Sequence, residues 1–82
     1  MINSKFEVKI VEHIATLSES GDYSRELNVV SFNNREPRLD VRVWRQDGGG
    51  SKTPLKGIQL TDTEVNALCD ALNNYIGGNG HE

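Results

Sequence analysis

One stretch of the chain, residues 38–45, alternates strictly between apolar and polar side chains. Its apolar positions are Leu39, Val41 and Val43, and the alternate positions are Arg38, Asp40, Arg42 and Trp44. Because successive side chains of a β-strand point to opposite faces, this two-residue period predicts a strand with one face in the core. The opposite face, expected to point outward, is unusual because it combines arginines with a tryptophan.

Three further segments have the composition of strands: residues 5–18, 23–32 and 54–60. The alternation of the first segment loses its phase after Val11, which predicts a long strand with a bend or a β-bulge. A triple glycine at 48–50 predicts a flexible connection before the last strand. Pro54 favours an edge position for that strand, because proline cannot donate a ladder hydrogen bond.

The only predicted helix begins at Thr61, where the sequence Thr61-Asp62-Thr63-Glu64 matches a capping box. Apolar side chains then recur with helical spacing and form a stripe about 120° wide. The stripe consists of Val65, Leu68, Cys69, Leu72, Tyr75 and Ile76. Gly77 and Gly78 are expected to end the helix, and residues 77–82 are expected to form a disordered tail.

The predicted order, four strands followed by one helix, indicates an α+β domain with a meandering antiparallel sheet. Residues 5–76 form this single domain, and 82 residues allow only a modest core. A single cysteine rules out an internal disulfide framework, so oligomerisation is a reasonable source of further stability. No apolar segment has the length of a membrane span or the form of a secretory signal, so the expected location is cytoplasmic.

The net charge of −3 argues against a simple nucleic-acid-binding protein, because such domains are usually basic. The charge is segregated along the chain, however. All nine Lys and Arg residues precede residue 60, whereas residues 61–82 carry four acids and no Lys or Arg. Six basic residues lie between Arg35 and Lys56 against three acids, so one face can be positive although the whole chain is acidic.

Two interpretations of the face that carries Arg42 and Trp44 remain open on residue chemistry alone. Arginines beside an exposed aromatic ring can neutralise phosphates and stack a base. Alternatively, Trp44 covers a corner of the core and the arginines only solubilise the strand. Enzymatic and metal-binding functions are disfavoured, because His13, His81 and Cys69 lack metal-ligand spacing and the carboxylates form no acid–base pair.

The segment Asp40-Val41-Arg42-Val43-Trp44, a glycine-containing turn and Lys56-Gly57-Ile58-Gln59-Leu60-Thr61 before a helix resemble a known family. It is the single-stranded-DNA-binding domain family of transcriptional coactivator positive cofactor four. The segment Glu26–Asn33 resembles its bacterial YdbC-like subgroup more closely. The resemblance covers about residues 5–76. It implies a curved four-stranded antiparallel sheet with one C-terminal helix, and a homodimer paired through the helices.

The resemblance also implies a set of site residues. By position, the nucleic-acid contacts carry over to Phe32, Arg35, Arg42, Trp44 and Lys56, and we add Arg38 and Lys52 from their place in the basic segment. The expected dimer interface consists of Leu68, Leu72, Tyr75 and Ile76. The chain departs from the family pattern at Asn33, where some members have a basic residue, and in its triple glycine.

The leading hypothesis is therefore a homodimeric, non-catalytic protein that binds single-stranded DNA largely independently of sequence. It would act in transcription regulation, replication or repair without a cofactor, and would be nucleoid-associated in a bacterium. Two alternatives use the same sheet face: a protein-interaction module and an RNA-binding module.

Overall fold

The computed structural model describes residues 7–78, and within them the elements follow the predicted order. The strands are β1 (Val8–Ser20), β2 (Tyr23–Phe32), β3 (Arg38–Gln46) and β4 (Lys52–Leu60), and the helix is α1 (Asp62–Asn73). A π-helical turn, Asn74–Gly78, extends α1, so Gly77 and Gly78 continue the helical path instead of ending it. The predicted start of the first strand at residue 5 and the tail at 79–82 lie outside the described residues.

The four strands form one antiparallel sheet in the order β1-β2-β3-β4, so every connection joins neighbours. This arrangement confirms the predicted α+β meander with a C-terminal helix. Because β4 is an edge strand, Pro54 can lie inside it without removing a hydrogen bond from a central ladder.

β1 departs from a regular ladder at three places, which confirms a bulge after Val11 and adds two more. The register shifts fall between Ile10 and Glu12, between His13 and Ala15, and between Thr16 and Ser18. Each bulge bends the strand and increases its local twist.

A side-chain contact between β3 and the end of β2 shows the resulting curvature. Arg42 pairs in register with Glu26, which lies six positions before Phe32 on β2. In a flat sheet, Phe32 would therefore lie about 20 Å along the strand from the position opposite Arg42. The Arg42 guanidinium carbon nevertheless lies 4.9 Å from the centroid of the Phe32 ring. The two side chains can meet only if the sheet curves toward the face that bears them.

That inner face is more deeply buried than the sequence pattern indicated. Asp40 is 0% exposed and Trp44 is 2% exposed, whereas Leu39, Val41 and Val43 on the other face are only half-buried. The expectation that this face points outward is therefore wrong for Asp40 and Trp44 in the single chain, and the burial of Trp44 agrees with the alternative in which it covers part of the core. Curvature brings the long side chains of the inner face together, so that they shield one another.

Helix α1 begins with the predicted capping box. The Thr61 hydroxyl accepts a hydrogen bond from the backbone N–H of Glu64 at 3.2 Å, and the Thr61 N–H donates to Glu64 Oε1 at 2.9 Å. The helix packs against β3 and β4, yet none of its residues is buried in the single chain. Within residues 7–78, no helix is long and apolar enough to cross a membrane.

Candidate nucleic-acid interface

The inner face of the sheet is polar at its centre, and we call it the polar face. Cross-strand pairing places Asn28 opposite Asp40, Glu26 opposite Arg42, and Ser24 opposite Trp44. These six side chains alternate with the apolar positions of β2 and β3, as the two-residue period requires. The sequence pattern predicted which β3 side chains share this face. It did not reveal that β2 adds the Glu26 carboxylate and the Asn28 amide to it.

Asp40 fixes the position of Arg42. Arg42 Nε donates to Asp40 Oδ1 at 2.8 Å and Arg42 Nη2 donates to Oδ2 at 2.7 Å, a two-point contact between planar groups. The guanidinium then lies over the Phe32 ring, in a cation–π geometry. Only 14% of the Arg42 side chain is exposed, so Arg42 orders the interior of the face more than it projects charge from it.

Gly57 allows Arg42 to lie flat across β4. A Cβ atom at position 57 would meet the Cβ of Arg42 and would lie 2.6 Å from both its Cα and the Val41 carbonyl oxygen. Without that atom, Arg42 Nη1 reaches the Leu55 carbonyl oxygen at 2.9 Å. The glycine of the Lys-Gly-Ile segment therefore has a packing role, because it admits the arginine of the neighbouring strand.

Glu26 is a second buried carboxylate, 2% exposed, with three donors. Oε2 accepts from Ser24 Oγ at 2.6 Å and from Lys52 Nζ at 2.7 Å, and Oε1 accepts from Asn28 Nδ2 at 3.1 Å. Burial alone would raise the pKa of Glu26, but these hydrogen bonds and the charge of Lys52 outweigh it and lower the pKa to about 2. Lys52 is thus already paired within the chain.

His13 extends this network to the edge strand. Its Nδ1 lies 2.6 Å from Asn28 Oδ1 and its Nε2 lies 3.2 Å from the Thr16 hydroxyl. Sequence reasoning missed this residue because His13 has no partner at close sequence spacing. Its phase in β1 could not be read through the bulges.

An open groove of about 600 Å³ lies at the end of the polar face where the two hairpins meet. Its floor includes Glu26 and Lys52, and its walls carry Glu19, Asp22 and Asp47. With four carboxylates against Lys52 and one arginine, this end of the face repels phosphates at short range.

The opposite end of the face carries exposed basic side chains. Arg35 and Arg38 are exposed at this end. Lys56 is exposed as well, but it lies in the middle of β4, at the bulge opposite Val43, so the strand register does not place it at this end of the polar face. Arg35 lies in the turn after β2, which Asn33 and Asn34 form with positive φ angles of 54° and 63°. Asparagine adopts positive φ angles more readily than most residues do. The turn geometry therefore explains why position 33 is an asparagine and not the basic residue that some family members have.

Most of the predicted site residues therefore fall into two groups. Phe32, Arg42 and Trp44 lie in the partly or fully buried interior of the face, whereas Arg35 and Arg38 lie on its exposed rim. The structure does not bring the other two into either group: Lys52 pairs with Glu26 at the groove end, and Lys56 is exposed in the middle of β4 opposite Val43. Trp44 Nε1 is buried without a hydrogen-bond partner among the described residues. A buried donor without an acceptor lowers stability. A ligand or a rearrangement that supplies an acceptor to Trp44 Nε1–H would remove this cost.

The apolar stripe of α1 is exposed in the single chain. Exposed fractions are 39% for Leu68, 48% for Leu72, 55% for Tyr75 and 59% for Ile76. Cys69, expected to be a small buried side chain, is exposed as well. Apolar side chains clustered on one helix face mark an interaction surface more strongly than scattered ones do.

Among the described residues, no group of three or more His, Cys, Asp or Glu side chains is arranged to hold a metal ion. The two buried carboxylates are each engaged by cations of the chain, Lys52 at Glu26 and Arg42 at Asp40. The chemistry that this face offers is consequently hydrogen bonding, stacking and charge pairing.

Comparison with known proteins agrees with this geometry. The sequence model of the family described as Transcriptional Coactivator p15 (PC4) matches residues 21–71, which span β2, β3, β4 and most of α1. The chain is also similar to an uncharacterised protein of Treponema pallidum (strain Nichols), with 37% identity over 75 residues. That alignment covers 89% of this chain and 84% of the relative.

The first prediction concerns acid stability. Because the pKa of Glu26 falls from 4.5 to about 2 on folding, its stabilising contribution is complete above about pH 4.5 and is lost between there and pH 2. Between these pH values, we expect the free energy of unfolding of the wild type to fall by on the order of 2–3 kcal/mol more than that of Glu26→Gln, which has no carboxylate to protonate at this position. Urea denaturation at a series of acid pH values measures it. Glu12→Gln is the matched control, and equal acid dependence of Glu26→Gln and the wild type would contradict the assignment.

The second prediction concerns Gly57. The added methyl group of Gly57→Ala must displace Arg42, so we expect a loss of about 1–3 kcal/mol in the free energy of unfolding. Gly48→Ala is the control, because a Cβ there meets nothing within 4 Å. Denaturant titration measures the free energy of unfolding of both variants. If Gly57→Ala were as stable as Gly48→Ala, Arg42 would not need to approach the backbone of residue 57 so closely.

Proposed function

Because the chain belongs to the transcriptional coactivator p15 (PC4) family, a family of non-enzymatic single-stranded-DNA-binding proteins, we propose that it is itself a non-catalytic single-stranded-DNA-binding protein. Binding is largely independent of base sequence and needs no cofactor. The observation that carries this proposal is the polar face, whose interior is fixed by paired charges and whose rim bears exposed basic side chains.

In this proposal, Arg35 and Arg38 on the rim neutralise phosphates of the bound strand, and Lys56 adds a contact from the middle of β4. They are exposed and carry long, flexible side chains, which suits contacts that fix the backbone without reading the bases. The acidic groove at the other end disfavours phosphates, so the strand is expected to lie closest to the rim at the Phe32 end.

Phe32 supplies the first stacking surface for a base. The ring is half-buried and its position is fixed from one side by Arg42, which is itself fixed by Asp40. A preordered ring loses little conformational freedom on binding, and stacking is tolerant of sequence because every base has a π-face. Arg42 thus acts mainly by ordering Phe32, and only secondarily as a cation.

Lys52 and Trp44 complete the proposed contact set. The Lys52 side chain is 34% exposed at the groove end, where it pairs with Glu26 and keeps a donor for a strand that extends beyond the Phe32 end. Trp44 becomes a stacking residue if binding opens the site around its indole, and the acceptor missing at Nε1 supports such a rearrangement.

We further propose that two copies of the chain pair through α1. A second copy supplies an identical stripe that would cover the exposed side chains of Leu68, Leu72 and Ile76, and Tyr75 is expected at the same interface. Ala67 and Ala71 lie beside the stripe, where small side chains allow two helices to approach closely. Pairing would join two polar faces in one molecule and raise the avidity for a long strand.

The cellular role that follows is in transcription regulation, replication or repair, wherever single strands are exposed. We place the protein in the cytoplasm, with the nucleoid if the cell is bacterial.

The third prediction tests the polar face with two arginines on opposite sides of the sheet. Arg38 shares the polar face and Arg25, which pairs with Val43, lies on the other face. We expect Arg38→Ala to weaken binding of a labelled single-stranded oligonucleotide about 2- to 5-fold and to reduce the salt slope by about one contact. Arg25→Ala removes the same charge and should leave both quantities nearly unchanged. Fluorescence anisotropy across a salt series measures them.

Several outcomes of that titration would redirect the proposal. Equal effects of the two variants would mean that only net charge matters, whereas absence of binding at low salt would favour a protein-interaction module. Tighter binding of RNA than of single-stranded DNA would favour the RNA-binding alternative, with selection through the 2′-hydroxyl. Unchanged Trp44 fluorescence in a saturated complex would assign this residue a purely structural role.

The fourth prediction concerns pairing through α1. Leu72→Asp places a charge in the proposed apolar interface, so the dimer should dissociate at micromolar protein concentration while the single chain stays folded. Asn66→Asp adds the same charge about 120° around the helix from Leu72, outside the apolar stripe, and should leave the dimer intact. Sedimentation equilibrium distinguishes the two, and a wild-type protein that is a monomer at micromolar concentration would refute helix pairing.

A further inference from the structure

His13 stands at the edge of the polar face with one side of its imidazole in solvent, since 48% of its side chain is exposed. We propose that His13 is a further nucleic-acid contact, which binds a phosphate oxygen of the strand when its imidazole is protonated. This inference rests on the proposed function. It adds a contact on β1, a strand that the sequence-based site did not include, and it makes the affinity depend on pH.

The hydrogen-bond network fixes which nitrogen of His13 carries the proton in the neutral form. The ionised Glu26 carboxylate can only accept, so the neighbouring Asn28 must turn its amide nitrogen toward Glu26. Asn28 Oδ1 then faces His13 and can only accept, so Nδ1 of the imidazole must bear the hydrogen. The lone pair of the neutral ring is consequently on Nε2.

Protonation therefore adds its hydrogen at Nε2, the nitrogen farther from the buried network. Thr16 is the partner there at 3.2 Å, and its hydroxyl donates to the neutral ring. When Nε2 gains a proton, that hydroxyl can turn and accept instead, or Nε2–H can donate to a phosphate oxygen at the exposed edge. Both protonation states are thus compatible with the fold, and only the charged state offers a donor to an anion.

The charges facing His13 determine what this proton changes. Glu26 on β2 lies 3.6 Å from Nδ1, and it is already paired with Lys52 on β4. Asp40 and Arg42 on β3 pair with each other. These two carboxylates and two cations sum to a charge of zero when His13 is neutral. Thr16 also lines the groove that carries Glu19, Asp22 and Asp47, so a phosphate must approach Nε2 from the side away from those acids.

A protonated His13 consequently gives the centre of the face a net charge of +1. Glu26 lies within ion-pair distance of Nδ1 and is also paired with Lys52, whereas Nε2–H, on the other side of the ring, remains able to donate to a phosphate oxygen. Histidine ordinarily changes its charge between about pH 5 and pH 8, within reach of cellular conditions. Binding of the strand should therefore take up a proton, and affinity should rise as the pH falls.

The test compares oligonucleotide binding at about pH 5.5 and about pH 7.5 in the wild type and in His13→Asn. Asparagine is the appropriate replacement because its amide nitrogen occupies the position of Nδ1, keeps a donor for Asn28 and does not titrate. The wild type should bind about 5-fold more tightly at the lower pH, with a salt slope steeper by about one contact. His13→Asn should lose that difference and match the wild type measured at the higher pH.

His81 is the only other histidine of the chain, so His81→Asn is the matched control and should keep the full pH effect. A wild type whose affinity does not change with pH, or a His13→Asn variant that keeps the change, would overturn the assignment. Absence of oligonucleotide binding at both pH values would instead refute the proposed function itself, so the two failures are distinguishable.

A second measurement does not depend on the variant folding. Nitrogen-15 NMR of the wild-type imidazoles should report the Nδ1–H tautomer for His13 in the neutral protein. On addition of the single-stranded oligonucleotide, the titration of His13 should move to higher pH, because a bound phosphate stabilises the charged ring. The Nε2–H tautomer, or a titration curve that the oligonucleotide leaves in place, would contradict the contact.

Discussion

A charged group can be buried in this small sheet only if another group of the chain satisfies it. Glu26 and Asp40, 2% and 0% exposed, meet that constraint through Lys52 and Arg42. The consequence reaches beyond stability, because each pairing also fixes a cation that a nucleic acid could otherwise attract. The interior of the polar face is therefore an ordered, neutral surface, and the capacity to attract phosphates lies with the rim.

Backbone features produce the shape in which this pairing is possible. Three bulges bend β1, and Gly57 lets Arg42 cross β4 closely enough to reach the Leu55 carbonyl oxygen. Curvature then brings Arg42 against Phe32, although their register positions are far apart along β2. A glycine and an irregular edge strand thus determine the position of an aromatic ring in the proposed binding site.

Sequence periodicity predicted the strand order, the capping box at Thr61 and the edge position of β4, because these features depend on local spacing. It left open whether Trp44 is exposed or buried, since a two-residue period tells which residues share a face but not how strongly the sheet curves. The pairing of Lys52 with Glu26 joins residues 26 positions apart and left no local signal. His13 was missed for a related reason, because the bulges of β1 change which residues face inward.

The acidic net charge of the chain is compatible with binding a single strand because the two parts of a nucleotide meet different parts of the face. In the proposed function, phosphates meet the exposed cations Arg35 and Arg38 on the rim and Lys56 on β4. Bases need flat rings and fixed donors and acceptors, which the neutral interior around Phe32 offers. A duplex turns its phosphates outward and stacks its bases within, so it cannot satisfy both parts at once. In the proposed function, the arrangement of charge, rather than its total, accounts for a preference for single strands.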